Sequence, residues 1–98
     1  MADKEFATVI NRLTVTGDTS EFEQILGDIT KYMRTQPGFV EHRLCRSLRN
    51  PAIYVEMARW TDAESHRNAM QHEVFHGYVR KLSALATAEP DVFRDVDE

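Results

Sequence analysis

The sequence is poor in the features that most directly announce a function. It has a single cysteine, Cys45, so no internal disulfide can form and a reducing, cytoplasmic setting is expected. No base lies near Cys45 in sequence, and it reads as an inert strand thiol rather than a nucleophile. No apolar run is long enough to span a bilayer, and the start, Met1-Ala2-Asp3-Lys4-Glu5, is too polar for a signal peptide. Positive charge is in deficit: 12 Lys and Arg against 16 Asp and Glu leave a net charge of −4. Nucleic acid is therefore not expected as a partner, since its recognition needs clustered excess positive charge. A Gly-rich phosphate loop, a G-x-S-x-G elbow, an H-E-x-x-H pair and a Cys-rich metal motif are all missing, as is any nicotinamide, flavin or haem signature. His72 and His76 have the i, i+4 spacing that can share a metal, but without a third ligand nearby they read as a solvated helix face, and no metal is expected.

What is present suits one globular domain over residues 1–98. Apolar residues make up 42% and charged residues 29%, ordinary values for a folded chain. At this length, one core burying roughly 60–65% of the unfolded surface is expected. The organising stretch runs from Ile53 to His66, a strand leading straight into a helix. Tyr54, Glu56, Ala58 and Trp60 share one strand face. Thr61, with Glu64 three residues on, predicts a capping box at the helix start. A bulky aromatic, a small residue and a carboxylate on one face describe the wall of a small-molecule pocket. On this stretch alone, a core tryptophan beside a solvated acid is the simpler reading, since buried aromatics at strand ends are common.

Around that stretch the periodicities are clear. Phe6 to Val15 predicts a strand whose inward face carries Ala7, Val9, Asn11, Leu13 and Val15. Asn11 is the lone polar member, either satisfied by neighbouring backbone or pointing at a ligand. Ser20 to Gln36 predicts a helix, with a Ser20–Glu23 capping box and a stripe of Phe22, Ile25, Leu26, Ile29, Tyr32 and Met33. Gln36-Pro37-Gly38 ends it. Phe39 to Leu48 predicts a second strand with Val40, His42, Leu44 and Leu48 on one face. His42 is either a satisfied interior histidine or a pocket residue. The Arg49-Asn50-Pro51-Ala52 turn pairs this strand with Ile53–Trp60 as an antiparallel hairpin. Thr61 to about Gln71 and Glu73 to about Ala88 predict two helices, with Glu89-Pro90 stopping the second. Asp91 to Asp97 reads as a last short strand. His66, one turn into its helix, can lean over the same pocket mouth as Trp60.

Strand, helix, strand, strand, broken helix, strand is the order of a ferredoxin-like split βαβ fold: an α+β domain with a four-stranded antiparallel sheet and helices on one face. Because the first strand carries apolar residues on both faces, a second copy is expected to cover the open one, giving a homodimer.

Three segments together resemble one family. They are Val9-Ile10-Asn11-Arg12-Leu13-Thr14-Val15, the turn Gln36-Pro37-Gly38-Phe39-Val40, and Tyr54 through Trp60 followed by Thr61-Asp62-Ala63-Glu64. This combination is similar to the antibiotic biosynthesis monooxygenases, over nearly the whole chain. The resemblance implies a dimeric α+β barrel with a pocket between sheet and helices in each subunit. It also implies a cofactor-free oxygenase of aromatic polyketide pathways, oxidising anthrone-like rings with molecular oxygen and no metal or flavin. In such relatives the first-strand Asn and the strand-end Trp are implicated in catalysis, and Asn11 and Trp60 match them. A second Asn usually lies four residues before that Trp, where this chain has Glu56. The position six past the Trp, aromatic in some relatives, is His66.

In that chemistry the substrate supplies the reactivity. The protein binds the rings, excludes water, removes an acidic ring proton and stabilises the enolate oxygen. Asn11 is expected as the oxyanion donor, worth about 2.7–4 kcal/mol for one such group, and Trp60 as the wall. Glu56 is expected as the base, with His42 or His66 as alternatives. His66, His42 and Tyr54 are expected to contact substrate. A haem-degrading relative would carry an axial His where this chain has Val79 and a pocket Trp where it has Ala69, so haem is not expected. Other readings within the same fold are a general quinol oxidase, a polyketide cyclase and a small aromatic ligand-binding protein.

Overall fold

A computed structural model describes residues 5–96. The elements are β1 (Ala7–Val15), α1 (Thr19–Arg34), β2 (Phe39–Arg46), β3 (Ile53–Trp60), α2 (Ala63–Met70), α3 (Glu73–Ser83) and β4 (Ala86–Phe93). The strands form one sheet in the order β2-β3-β1-β4, and every neighbouring pair is antiparallel. This is the expected ferredoxin-like arrangement, with the helices against one face. Among the described residues no helix is long and apolar enough to cross a membrane.

Alternation along the central strands decides what the helices cover. Ala7, Leu13 and Val15 of β1 and Tyr54, Ala58 and Trp60 of β3 are buried, all on the helix side of the pleat. They form two clusters. One joins Leu13, Val15 and Tyr54 to Phe22, Leu26 and Ile29 of α1 and to Leu82. The other joins Ala58 and Trp60 to Ala69, with Val9, Phe39 and Met70 packed on it. Met33 packs against both. The Tyr32 hydroxyl donates to the Ala69 carbonyl at 2.8 Å, tying α1 to the end of α2.

Three expectations are corrected. Both long-range helix starts move by a residue or two. Asp18, not Ser20, caps α1, its carboxylate accepting from the Glu21 amide at 2.8 Å. Asp62, not Thr61, caps α2, accepting from the Ser65 amide at 2.8 Å. Asp is at least as good a cap as Ser or Thr, and the Thr61 amide is already used, donating to the Gly38 carbonyl at 2.7 Å. The second strand ends at Arg46 and leaves Leu48 fully exposed in the turn. There the Ser47 hydroxyl accepts from the Arg49 and Asn50 amides, so the hairpin reversal begins earlier than the apolar pattern suggested.

The largest correction is at the end of the chain. The second C-terminal helix stops at Ser83 rather than Ala88, and the strand predicted at Asp91–Asp97 is Ala86–Phe93; Asp97 lies outside the described residues. Ala86, Thr87 and Ala88 pair with Val15, Thr14 and Leu13. The Leu85 carbonyl accepts from the Thr16 and Gly17 amides at 2.7 and 3.1 Å. Helix propensity is a weak preference that a full ladder of sheet hydrogen bonds overrides. Pro90 does not stop a helix here. It sits inside β4, an edge strand, where a missing amide donor is tolerated.

Gly38 fixes how the sheet meets α2. Its φ is +91°, in the region that favours glycine. A β-carbon there would press on the Ser65 side chain and lie 2.9 Å from the Thr61 hydroxyl. The absence of a side chain lets the turn after α1 rest directly on the start of α2, bringing Phe39 beside Trp60 across the β2–β3 ladder.

Candidate functional site

Between the two core clusters lies a cavity of about 530 Å³. Sheet residues form its floor and all three helices its walls. A volume of this size suits a small organic ligand, since such sites run from roughly 300 to 1,000 Å³. Its lining is mostly apolar: Val9, Leu26, Ile29, Met33, Ala58, Met70, Phe75, Val79, Leu82 and Val92 among others. Asn11, His42, Glu56, Trp60 and His66 line it too, so five of the six site residues expected from sequence share one space.

Sheet register explains the polar group. Asn11 and Glu56 are direct partners across the β1–β3 ladder, and opposite residues on one face hold their β-carbons about 4.5–5.5 Å apart. Pro90 is the partner of Asn11 on the other side. It offers no polar side chain to occupy the amide. The Asn11 Oδ1 atom is buried with no hydrogen-bond partner among the described residues, and the residue lines the cavity.

His42 pairs with Ala58, two residues beyond Glu56 on β3, and so stands diagonal to the acid on the same face, within reach of a long side chain. The His42 Nε2 atom lies 2.9 Å from Glu56 Oε2. The side chains are 10% and 16% exposed respectively, so the pair is shielded but open to proton exchange with solvent. The same Nε2 atom is 3.4 Å from the hydroxyl of Thr30 on α1.

Trp60 is fully buried at the far end of the floor. The Phe39 ring packs edge-on against it at 5.4 Å and the His66 ring at 5.7 Å. The indole Nε1–H is buried with no partner among the described residues. His66 does lean back over the strand end as expected. Its own burial pushes the imidazole below its ordinary value, and the neighbouring Arg67 charge adds to this, so His66 is neutral at neutral pH and a weak base.

Tyr54 differs from expectation. It does not line the cavity but sits buried in the other core cluster, against Phe22 with ring centroids 4.8 Å apart. Its hydroxyl donates to Glu23, and the Arg46 guanidinium lies over its ring at 5.2 Å. Desolvation and the Glu23 carboxylate together raise its phenol above the ordinary value. The Glu23 expected to close a helix cap is used here instead. His72 and His76 remain exposed, and no group of three or more potential metal ligands occurs among the described residues. The residue sequence reasoning missed is Thr30. Its only signal was a hydroxyl at the edge of an otherwise apolar helix stripe, four residues after Leu26.

Chemically, the cavity offers a mostly apolar space lined by two carboxylate residues, Glu56 and Asp91, the Asn11 amide, the His42 and His66 imidazoles and a buried indole wall. Such a set can remove a proton from a bound ring and stabilise the resulting anion. A family model for antibiotic biosynthesis monooxygenases matches residues 6–81. Deoxynogalonate monooxygenase of Streptomyces nogalater is 36% identical over 91 residues, covering 93% of this chain and 77% of that protein. The crystal structure of SnoaB, a cofactor-independent oxygenase from Streptomyces nogalater, superposes with a TM-score of 0.93 at 34% identity, covering 96% of both chains. A conserved protein of Methanosarcina mazei shares the fold at 18% identity, with a TM-score of 0.86 and 95% of both chains covered. With a family match spanning most of its length and a relative more than one-third identical over nearly all of it, the chain belongs to the antibiotic biosynthesis monooxygenase family.

Proposed function

We propose that the protein is a cofactor-independent monooxygenase that oxidises an anthrone-type aromatic polyketide, or a related quinol, with molecular oxygen. The observation that carries this reading is the Asn11–Glu56 cross-strand pair on the wall of an apolar cavity bounded by Trp60. The Glu56 carboxylate takes a proton from the acidic ring carbon, and the Asn11 NH₂ donates to the enolate oxygen as charge develops there. The electron-rich anion passes one electron to oxygen, and the two radicals combine into a peroxide anion. That anion recovers the proton from Glu56. Glu56 then removes the second hydrogen of the same carbon as the O–O bond breaks, and the departing hydroxide takes the proton to become water. A ring CH₂ and O₂ thus become C=O and H₂O, with every electron supplied by the substrate.

Oxygen uptake by metal-stripped protein given dithranol, with anthraquinone-type product followed by absorbance, tests this. Uptake above the uncatalysed rate is expected, falling roughly 100-fold in Asn11→Ala, the scale of losing one oxyanion donor. Absence of uptake while dithranol still quenches Trp60 fluorescence would refute the oxygenase and favour a cyclase or ligand-binding role for the same cavity.

The assembly we propose is a homodimer. The helices cover one sheet face only, and Ile10, Val55 and Phe93 are exposed on the other. A second copy packed there forms the dimeric α+β barrel. Sedimentation is expected to give the mass of two 11.3 kDa chains; the mass of one would refute it.

A further inference from the structure

Glu56 does not stand alone on the cavity wall. Thr30, His42 and Glu56 form a line from helix α1 across the edge strand to the central sheet, joined through one atom, His42 Nε2. The direction of its hydrogen bonds can be worked out from its partners. The Thr30 hydroxyl donates to the Leu26 carbonyl at 3.0 Å, and a hydroxyl has one proton to give. Its oxygen therefore faces His42 as an acceptor. A carboxylate also only accepts. With an acceptor on both sides, Nε2 carries the hydrogen and shares it between Glu56 at 2.9 Å and Thr30 at 3.4 Å. A nitrogen so occupied cannot remove a substrate proton.

We propose that His42 is a positioning residue. It donates from Nε2 to Glu56, is steadied by Thr30, and so holds the carboxylate where it abstracts the ring proton, a step the cavity performs whether or not oxygen is present. This rests on the reading of the cavity as a deprotonating site. The ring C–H bond breaks, its electron pair stays on the ring, and the proton goes to the Glu56 oxygen not engaged by His42. Without oxygen the step reverses. Because Glu56 is partly open to solvent, the returned hydrogen comes from water. Misplacing a reacting group by about 1 Å costs about 100-fold, which is why a group that never touches the reacting atoms can matter to the rate.

The test is exchange of the acidic methylene of dithranol with D₂O under anaerobic conditions, followed by proton NMR at a pH where the uncatalysed exchange is slow. Wild-type protein is expected to accelerate it. His42→Leu should lose roughly 100-fold in the exchange rate at saturating dithranol, with saturation read by Trp60 quenching so that any change in binding does not enter the comparison. His42→Gln keeps an N–H donor and should recover to within about 10-fold of wild type. Thr30→Val, which removes the longer contact to His42 together with the hydroxyl's bond to the Leu26 carbonyl but leaves the Glu56 contact in place, should lose about 2- to 10-fold. If His42→Leu exchanges like wild type, the positioning role is overturned. If His42→Gln is as inactive as His42→Leu, His42 moves the proton itself and the proposal also fails. Should His42→Leu not fold, the Gln and Val variants decide by the same criteria. Exchange intact without oxygen uptake would refute the oxygenase and leave His42 in its role; uptake intact without exchange would do the reverse.

Discussion

Glu56→Gln is expected to lower oxygen uptake with dithranol by roughly 10²–10⁴-fold, the range that a positioned general base contributes. The amide is nearly isosteric with the acid and cannot take a proton. Its carbonyl oxygen can still accept from His42 Nε2, so the 2.9 Å contact survives and the Asn11 partnership across the ladder is undisturbed. The thermal midpoint should therefore stay within a few degrees, since substitutions that keep packing and hydrogen bonds change stability by about 0.5 kcal/mol. Steady-state kinetics should show the loss in kcat rather than KM, because the interaction removed belongs to the transition state. A Gln variant as active as wild type, beside an inactive Asn11→Ala, would take the base role from Glu56 and leave the oxyanion role standing. His66 is a poor substitute. Burial already weakens it as a base.

The sheet and the polar cluster were legible because both follow from period-two alternation. Once Ala7–Val15 and Ile53–Trp60 are strands with apolar inward faces, Asn11, Glu56 and Trp60 must point inward too. Their meeting needs only the register. His42 was legible for the same reason, and its contact with Glu56 follows from the diagonal that the hairpin register sets. Tyr54 shows the limit of that logic. It shares the face of Glu56, but its ring lies over the end of the sheet filled by Phe22 and Leu13, so alternation gave its side and not its cluster. The Ala84–Ala88 stretch failed for a different reason. Alanine and leucine favour helix locally, and only pairing with β1, some seventy residues away in sequence, turns them into an edge strand. That strand then supplies Ala88, Pro90 and Val92 to the cavity, so part of the site was hidden with it. Thr30 was hidden because nothing in a helix stripe says which strand residue faces its flank.

Trp60 separates stability from chemistry. Trp60→Ala is expected to cost about 3–5 kcal/mol, a large part of the roughly 5–15 kcal/mol that holds a domain of this kind together. The indole is fully buried and links Ala58 and Ala69 to the partly buried Val9, Phe39 and Met70; both buried neighbours are too small to collapse into the space. Trp60→Phe should behave differently. It removes some buried ring area, but it also removes an indole N–H with no partner among the described residues, and an unsatisfied buried donor costs about 1–3 kcal/mol. The two effects oppose each other, so a net change of about 1 kcal/mol or less is expected from urea denaturation. A Phe variant as unstable as the Ala variant would mean that the indole N–H is satisfied in the folded protein. With the fold retained, Trp60→Phe keeps an aromatic wall against Phe39 and His66 that is one ring smaller. Any loss of dithranol oxidation in that variant then belongs to the placement of the substrate beside Asn11 and Glu56, not to unfolding.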